Sequence, residues 1–323
     1  MKRLLFLISI WVCFVPHLYS QDTVHFEIYD GIDDGLLKRT MEQNAARLLT
    51  AINIAEEGKS DINYSGIDIS NNTVQKIATL WRTVPLHIID DDIIERCICI
   101  KTKNGDIVAY EVRNIKVIIR PLDEGYEGDL NQEVSIYFNR EGVICDFNIT
   151  LGSSLCQDVF KEGRRLDDIG YRMQILHWVE QLYSAYILKD IDLMNAVFSD
   201  DVLVITEKDG TLRKILDNSN TFTSTERKYY LSKVNDFFSQ NKFINVKFDS
   251  IKIVRHPVNS NFYGVTLIQN WNGEKANGSV YADEGTFFSI WDFSDELKPK
   301  ICVRTWQPMN DPNPIFKLSD FKL

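Results

Sequence analysis

The residues able to do chemistry are few and widely spaced. Asp292 is the only acid in the apolar run Phe287-Phe288-Ser289-Ile290-Trp291-Asp292-Phe293, and Arg304 lies on the next strand-like run. If these two strands pair through a turn at 295–298, the charges meet, so a cross-strand ion pair is the expected role of both. Were that pair buried, removing one partner would cost ~3–5 kcal/mol. His177 stands beside Trp178, and His256 precedes Pro257 at a strand end. A lone histidine on a packed helix reads as a satisfied core residue rather than a base. No His stands at helical or strand spacing from another, so a zinc site has no local framework. Asp90-Asp91-Asp92 with Glu95 lacks the alternating ligands and the glycine of a calcium loop. It reads as a solvated turn, as does the acidic stretch Asp123-Glu124-Gly125-Tyr126-Glu127-Gly128-Asp129. No metal and no cofactor is expected.

Nucleophile and nucleotide signatures are missing too: the chain has no GxSxG elbow, no phosphate-binding P-loop and no HExxH pair. Cys97 and Cys99, at i and i+2, would share one face of a strand, a spacing unlike a CxxC metal knuckle, and read as small buried hydrophobes. What the chain does supply is aromatic surface: Trp178, Trp271, Trp291 and Trp306, with Phe287 and Phe288. Strand alternation sends Phe287, Ser289 and Trp291 to one face and Phe288, Ile290 and Asp292 to the other.

The elements that must position these residues are legible from periodicity. A short strand at 25–29 precedes a helix over 33–57 whose Leu37, Met41, Ala45, Leu48 and Ile52 fall at three- and four-residue steps. Asp33 or Asp34 would cap its start and Gly58 its end. A second helix follows Asn71-Asn72-Thr73 and stops before Pro85. Strands are expected at 93–101, 107–112, 115–120, 133–139 and 143–150, turning at Asn104-Gly105 and Arg140-Glu141-Gly142. Beyond a polar stretch, a helix over 169–188 is too apolar for a surface position. A short helix at 191–198, a strand at 201–205 and a helix at 228–240 follow. Long alternating strands at 244–256, 262–272, 285–293 and 300–307 complete the series. The fold class is α+β, with one half of helices and a mostly antiparallel sheet, and another half of a curved sheet wrapped over helices around a concave apolar cup.

Lys2 and Arg3 precede an apolar run at 4–15, and Leu18-Tyr19-Ser20 ends on a small residue, the pattern of a signal peptide over residues 1–20. Its removal leaves a net charge of −12. That balance, with no clustered Lys and Arg, excludes a nucleic-acid surface. No later run is long and apolar enough to span a membrane. The expected organisation is residues 21–157 as an α+β domain, 158–168 as linker or bridging helix, 169–310 as the curved-sheet domain and 311–323 as a tail. Export to the periplasm or exterior of a Gram-negative cell makes pairing of Cys97, Cys99, Cys145, Cys156 and Cys302 chemically open, and five thiols leave at least one free.

Four stretches carry a resemblance: His177-Trp178-Val179-Glu180-Gln181-Leu182-Tyr183, Val197-Phe198-Ser199-Asp200-Asp201, Ser289-Ile290-Trp291-Asp292-Phe293 and Val303-Arg304-Thr305-Trp306-Gln307-Pro308. In this order of elements, about 140 residues resemble the cone-shaped superfamily of nuclear transport factor and ketosteroid isomerase, which hosts enzymes, binding modules and scaffolds alike. The whole chain also resembles two-domain exported proteins of Gram-negative anaerobes through Arg120-Pro121-Leu122-Asp123-Glu124-Gly125-Tyr126 and Arg304-Thr305-Trp306-Gln307-Pro308. The cone resemblance implies a pocket, in which the isomerase branch would need an acid and a tyrosine, with Asp292 and Tyr186 as the candidates. The expected function is non-enzymatic binding of a small apolar ligand or a protein partner through Trp178, Tyr186, Tyr230, Trp291 and Trp306. The rivals are an isomerase- or hydratase-like enzyme and a structural or assembly protein of the envelope. The outer sheet face is expected to form a homodimer or to receive the first half.

Overall fold

The computed structural model describes residues 23–82, 84–102, 105–120, 122, 130–152, 155, 156, 159, 166–205 and 224–321. The expectations for residues 1–20, for the acidic stretch 123–129 and for most of 158–168 fall outside these residues.

Strand β1 (His25–Asp30) leads into helix α1 (Gly35–Gly58). The Asp34 carboxylate accepts from the backbone N–H of Leu36 at 2.8 Å and of Leu37 at 3.1 Å, satisfying two donors that the helix start leaves open. At its end the left-handed residue is Lys59, at φ 48°, with Gly58 still inside the helix. The expected glycine stop is thus one residue early. Helix α2 (Asn71–Trp81) is capped by Ser70, whose Oγ accepts from Thr73 N–H at 3.2 Å.

The first sheet adds β2 (Leu86–Ile88), β3 (Asp92–Lys101), β4 (Ile107–Ile119), β5 (Asn131–Phe138) and β6 (Ile144–Ile149) in the order β1-β3-β4-β5-β6, with β2 on β4. All pairs are antiparallel except β1 with β3, which run parallel because α1 carries the chain back across the sheet. The first half is therefore a mixed sheet. Asn114, at φ 65°, marks the irregularity between Val112 and Ile115 where β4 changes register with β5.

Helix α3 (Leu166–Leu188) follows, then α4 (Ile191–Val197), β7 (Phe198–Ile205) and α5 (Ser224–Gln240). Four long strands close the described chain: β8 (Asn241–Arg255), β9 (Phe262–Lys275), β10 (Val280–Asp292) and β11 (Lys300–Pro308). The second sheet runs β7-β11-β10-β9-β8, antiparallel apart from β7 with β11, and curls into a half-barrel. Helix α3 touches β3 and β6 of the first sheet and β8 of the second. It buries Ile175, Leu176, Val179, Leu182, Ala185 and Tyr186, so one apolar core runs from Val24 to Ile301. This all-round burial is why its sequence lacks a polar face.

Part of the outer face of the second sheet is covered by the chain itself. Phe316, Leu318 and Phe321 cover Leu203, Ile205, Phe288, Ile290 and Val303, and the rings of Phe288 and Phe321 stack with centroids 6.0 Å apart. Gly264 allows this, since a Cβ there would lie 3.1 Å from the Phe288 ring and 3.3 Å from Leu318. The C-terminal segment occupies part of the face expected to dimerise or to receive the first half. Among the described residues no helix is long and apolar enough to cross a membrane.

Candidate functional site

The inner face of the second sheet is built by alternation. Register places Tyr281 opposite Gly273, Asp283 opposite Trp271, Phe287 opposite Leu267 and Trp306, and Ser289 opposite Arg304. Deep in the cup, Trp291 is fully buried and its indole N–H donates to Ser289 Oγ at 3.0 Å, so this end is solid core. Toward the other end of β10 the walls part around a cavity of about 290 Å³, lined by Phe237, Trp271, Tyr281, Asp283, Arg304 and Trp306. Two strand glycines make this opening. A Cβ on Gly273 would lie 2.4 Å from Tyr281 Oη, and one on Gly285 would lie 2.6 Å from the Trp306 indole, so both rings rest on bare backbone. The walls hold one another edge to face: Tyr186 on Trp271 at 4.8 Å, Phe237 on Trp271 at 5.9 Å and Phe237 on Tyr281 at 5.8 Å.

Arg304 is the unusual member. Only 7% exposed, it lies 4.8 Å over the Tyr230 ring and 5.6 Å over the Phe287 ring, and no carboxylate of the described residues forms an ion pair with it. Among the described residues its Nε is buried without a hydrogen-bond partner, as are Tyr281 Oη and Trp306 Nε1. Burial works against its charge, but the neighbouring hydroxyls of Tyr230 and Tyr186 outweigh that and raise its pKa. It is a cation at any working pH. Burial pushes the Tyr230 hydroxyl far up against the pull of Arg304, and pushes Tyr281 up to about 12. The site thus offers a fixed positive charge and N–H and O–H groups that stay protonated: equipment for holding acceptor atoms. Asp283 sits exposed at the rim, its Oδ1 accepting from Glu284 N–H at 2.9 Å.

Of the residues picked from sequence, Tyr186, Tyr230 and Trp306 gather around Arg304. Trp178 is half-buried against His177 at 5.5 Å and does not line the cavity, and Trp291 is core. The expected Asp292–Arg304 ion pair does not form. Asp292 stands opposite Lys300, Arg304 opposite Ser289, and an irregularity between Ile290 and Trp291 shifts the register between them. Trp291 shares the inner face with Ser289, so Asp292 faces outward, where its Oδ1 accepts from Ser294 N–H at 2.8 Å and Ser294 Oγ at 2.6 Å. That removes it from the cup as an acid beside Tyr186. His256 Nδ1 accepts from the backbone of Val258 and Asn259 in a turn. Phe237, Tyr281 and Asp283 were not foreseen; Gly273 and Gly285, each isolated in a strand, were the signal of a close approach that marks the place.

All five described cysteines are free thiols. Cys97 is buried and pushed up to about 12 by that burial, whereas Cys145 is exposed and lines a separate cleft of about 750 Å³ between α2, β6 and the α3–α4 junction. In that cleft Lys76 Nζ donates to Asp146 at 2.9 Å and to Gln181 at 3.0 Å, so its polar groups answer one another. Deeper between the sheets, Arg113 binds Glu111 at 2.5 Å and both oxygens of Glu180, and also reaches Cys156 Sγ at 3.1 Å. Burial raises the pKa of Glu180 against the pull of Arg113.

No protein-family model matches the sequence, and no curated protein does. Among solved structures, half of this chain is similar to a nuclear transport factor 2-like superfamily protein from Salmonella enterica, at 10% identity and a TM-score of 0.33 over 95% of that chain. A nuclear transport factor 2-like protein of unknown function in nutrient uptake from Rhodospirillum rubrum is similar over 42% of this chain and 98% of its own, at 12% identity and a TM-score of 0.32. A conserved protein from Planctomyces limnophilus is similar over 43% and 98%, at 13% identity and 0.34. Function has to be argued from the side chains.

Proposed function

We propose that this protein is an exported, non-enzymatic binder that holds a small, largely apolar molecule in the mouth of its C-terminal cup. The observation that supports this is the cavity of about 290 Å³ with Phe237, Trp271, Tyr281 and Trp306 as walls, near the lower end of the size range of small-molecule sites. Aromatic walls supply affinity by removing apolar area from water, and a few polar groups among them fix orientation. The acid that an isomerase-like reaction would draw on, Asp292, lies on the opposite face, and the pocket hydroxyls remain protonated.

The reading is tested with 2-naphthol, a neutral two-ring probe, followed by the protein's tryptophan emission. Trp271 and Trp306 lie in the wall, so filling the cavity should quench or shift their emission saturably. Trp306→Ala should weaken binding by about tenfold or more, the loss expected when a wall-forming aromatic is truncated. Binding that is unchanged in this variant, in a protein of unaltered thermal stability, would place the site elsewhere and overturn the proposal.

A further inference from the structure

Among the described residues, the mouth of the cup contains a charge with no counter-charge. Burying a guanidinium is costly unless it is paired, and buried arginines normally meet a carboxylate, as Arg113 does with Glu111 and Glu180 in this same protein. Arg304, equally buried at 7% exposure, meets two aromatic faces and the neutral hydroxyls of Tyr230 and Tyr186 instead. Cation–π contacts return only part of the cost of leaving water. Its Nε, and with it the Tyr281 hydroxyl and the Trp306 indole N–H, have no hydrogen-bond partner among the described residues. All three residues, Arg304, Tyr281 and Trp306, line one cavity. The unpartnered groups are donors, or hydroxyls able to donate, and the surrounding walls are aromatic.

We propose that the molecule bound in this cavity is an aromatic or alicyclic carboxylate, its ring system between Trp271 and Trp306 and its carboxylate on Arg304. The inference rests on the cavity being a ligand site and adds the chemical class of the ligand. A carboxylate is favoured over a dianionic phosphate because a single guanidinium balances one charge, and Arg304 is the one cation among the described residues that line the cavity. Asp283 opposes any further negative charge from the rim. The planar fork of Arg304 can take both oxygens of one carboxylate, and the Trp306 N–H and Tyr281 hydroxyl are further donors to an acceptor on the ligand. Arg304 is then a recognition residue that sets specificity by charge, while the rings set it by shape.

The test compares three probes of one shape on the full chain: naphthalene-2-carboxylate, naphthalene-2-carboxamide and 2-naphthylmethylamine, by isothermal titration calorimetry. The carboxylate should bind about ten- to a hundredfold more tightly than the amide, and the amine should bind worst, because a charge-assisted bond to Arg304 is gained, weakened or replaced by repulsion. Arg304→Met should bring carboxylate and amide within about threefold of each other. That variant should also unfold at the same temperature as the parent or higher, since an unpaired buried cation has been removed. Equal binding of carboxylate and amide by the parent overturns the carboxylate assignment and leaves the binding reading standing. Failure of all three probes, together with 2-naphthol, overturns both. The parent's preference among probes needs no variant, so a variant that failed to fold would not shield the proposal.

Discussion

His177 shows what burial does to a single titratable residue in this protein. Its Nδ1 is buried without a partner, and its ring packs on Tyr137 with centroids 4.4 Å apart. Burial lowers its pKa below 6.5; Asp146 and Glu111 pull the other way, and Lys76 and Arg113 add to the lowering. The folded form therefore holds a neutral imidazole. The unfolded chain takes up that proton near 6.5, so it binds more protons than the fold in the window just below, and stability falls there as pH drops. Asp146, also lowered, loses its contribution only below 3.8, outside this window. His177→Gln should flatten the pH dependence: the gap in thermal midpoint between parent and variant should move in the variant's favour from about pH 7.5 to about pH 5.5. A gap independent of pH would mean that the ring is protonated in the fold. At this scale the sequence was partly readable. Tyr186, Tyr230 and Trp306 stood out as aromatics on elements that face the cup. Arg304 was assigned to Asp292 because a turn at 295–298 puts them on neighbouring strands. What fixes the partner is register: a hairpin centred on 295–298 already sets Arg304 opposite Ser289, and Asp292 lies three residues along, roughly 10 Å at strand spacing, on the other face. Counting outward from the turn would have found this.

Elements were the most legible level, and the C-terminal segment marks where legibility ended. The closing strands are long and alternating, and α3 is apolar on every side, so their type and order could be read directly. Strand β10 begins at Val280 rather than near 285 because Ala282-Asp283-Glu284 is polar, its side chains lying at a rim and not in a core. The parallel pairing of β1 with β3 was not readable either, since a parallel partner is chosen by the whole crossover rather than by any turn. Residues 311–321 carry four large apolar side chains in a polar stretch and read as a tail. Three of them, Phe316, Leu318 and Phe321, are buried and cover the β7, β10 and β11 part of the outer face of the sheet, while Ile315 stays exposed. Phe316→Ser with Leu318→Ser should cost ~2–5 kcal/mol for each buried side chain lost. It should also uncover Phe288, Ile290 and Val303, so that light scattering after size exclusion detects concentration-dependent association that the parent lacks. A variant that loses stability yet gives the same mass as the parent at every concentration would show that the segment packs the sheet without guarding it.

Across the whole molecule, the two sheets share α3, and the question is whether they also share a folding transition. The helix carries Glu180 into contact with Arg113 on β4, and Leu151 N–H donates to the same carboxylate at 3.0 Å. Two carboxylates thus converge on one guanidinium at the seam, and Glu180 is 0% exposed. Such a cluster adds little net stability when intact, but it is exacting: strip the guanidinium and two buried carboxylates face each other. Arg113→Met should therefore cost ~3–5 kcal/mol, while Arg113→Met with Glu111→Leu and Glu180→Leu should recover most of it. Both sheets should register the loss. Trp271, Trp291 and Trp306 all lie in the second sheet, and Trp81→Phe with Trp178→Phe leaves them as the emitters among the described residues. If the shared helix makes the seam part of one cooperative unit, a substitution on β4 shifts their fluorescence-monitored urea midpoint as far as it shifts the far-ultraviolet circular dichroism midpoint. Coincident shifts would mean that the cup is held in shape by the first sheet, and ligand affinity in the cup would then fall with seam stability. A fluorescence midpoint that stays put while the dichroism transition splits would instead make the C-terminal cup a self-sufficient unit, with the first sheet free to unfold against it.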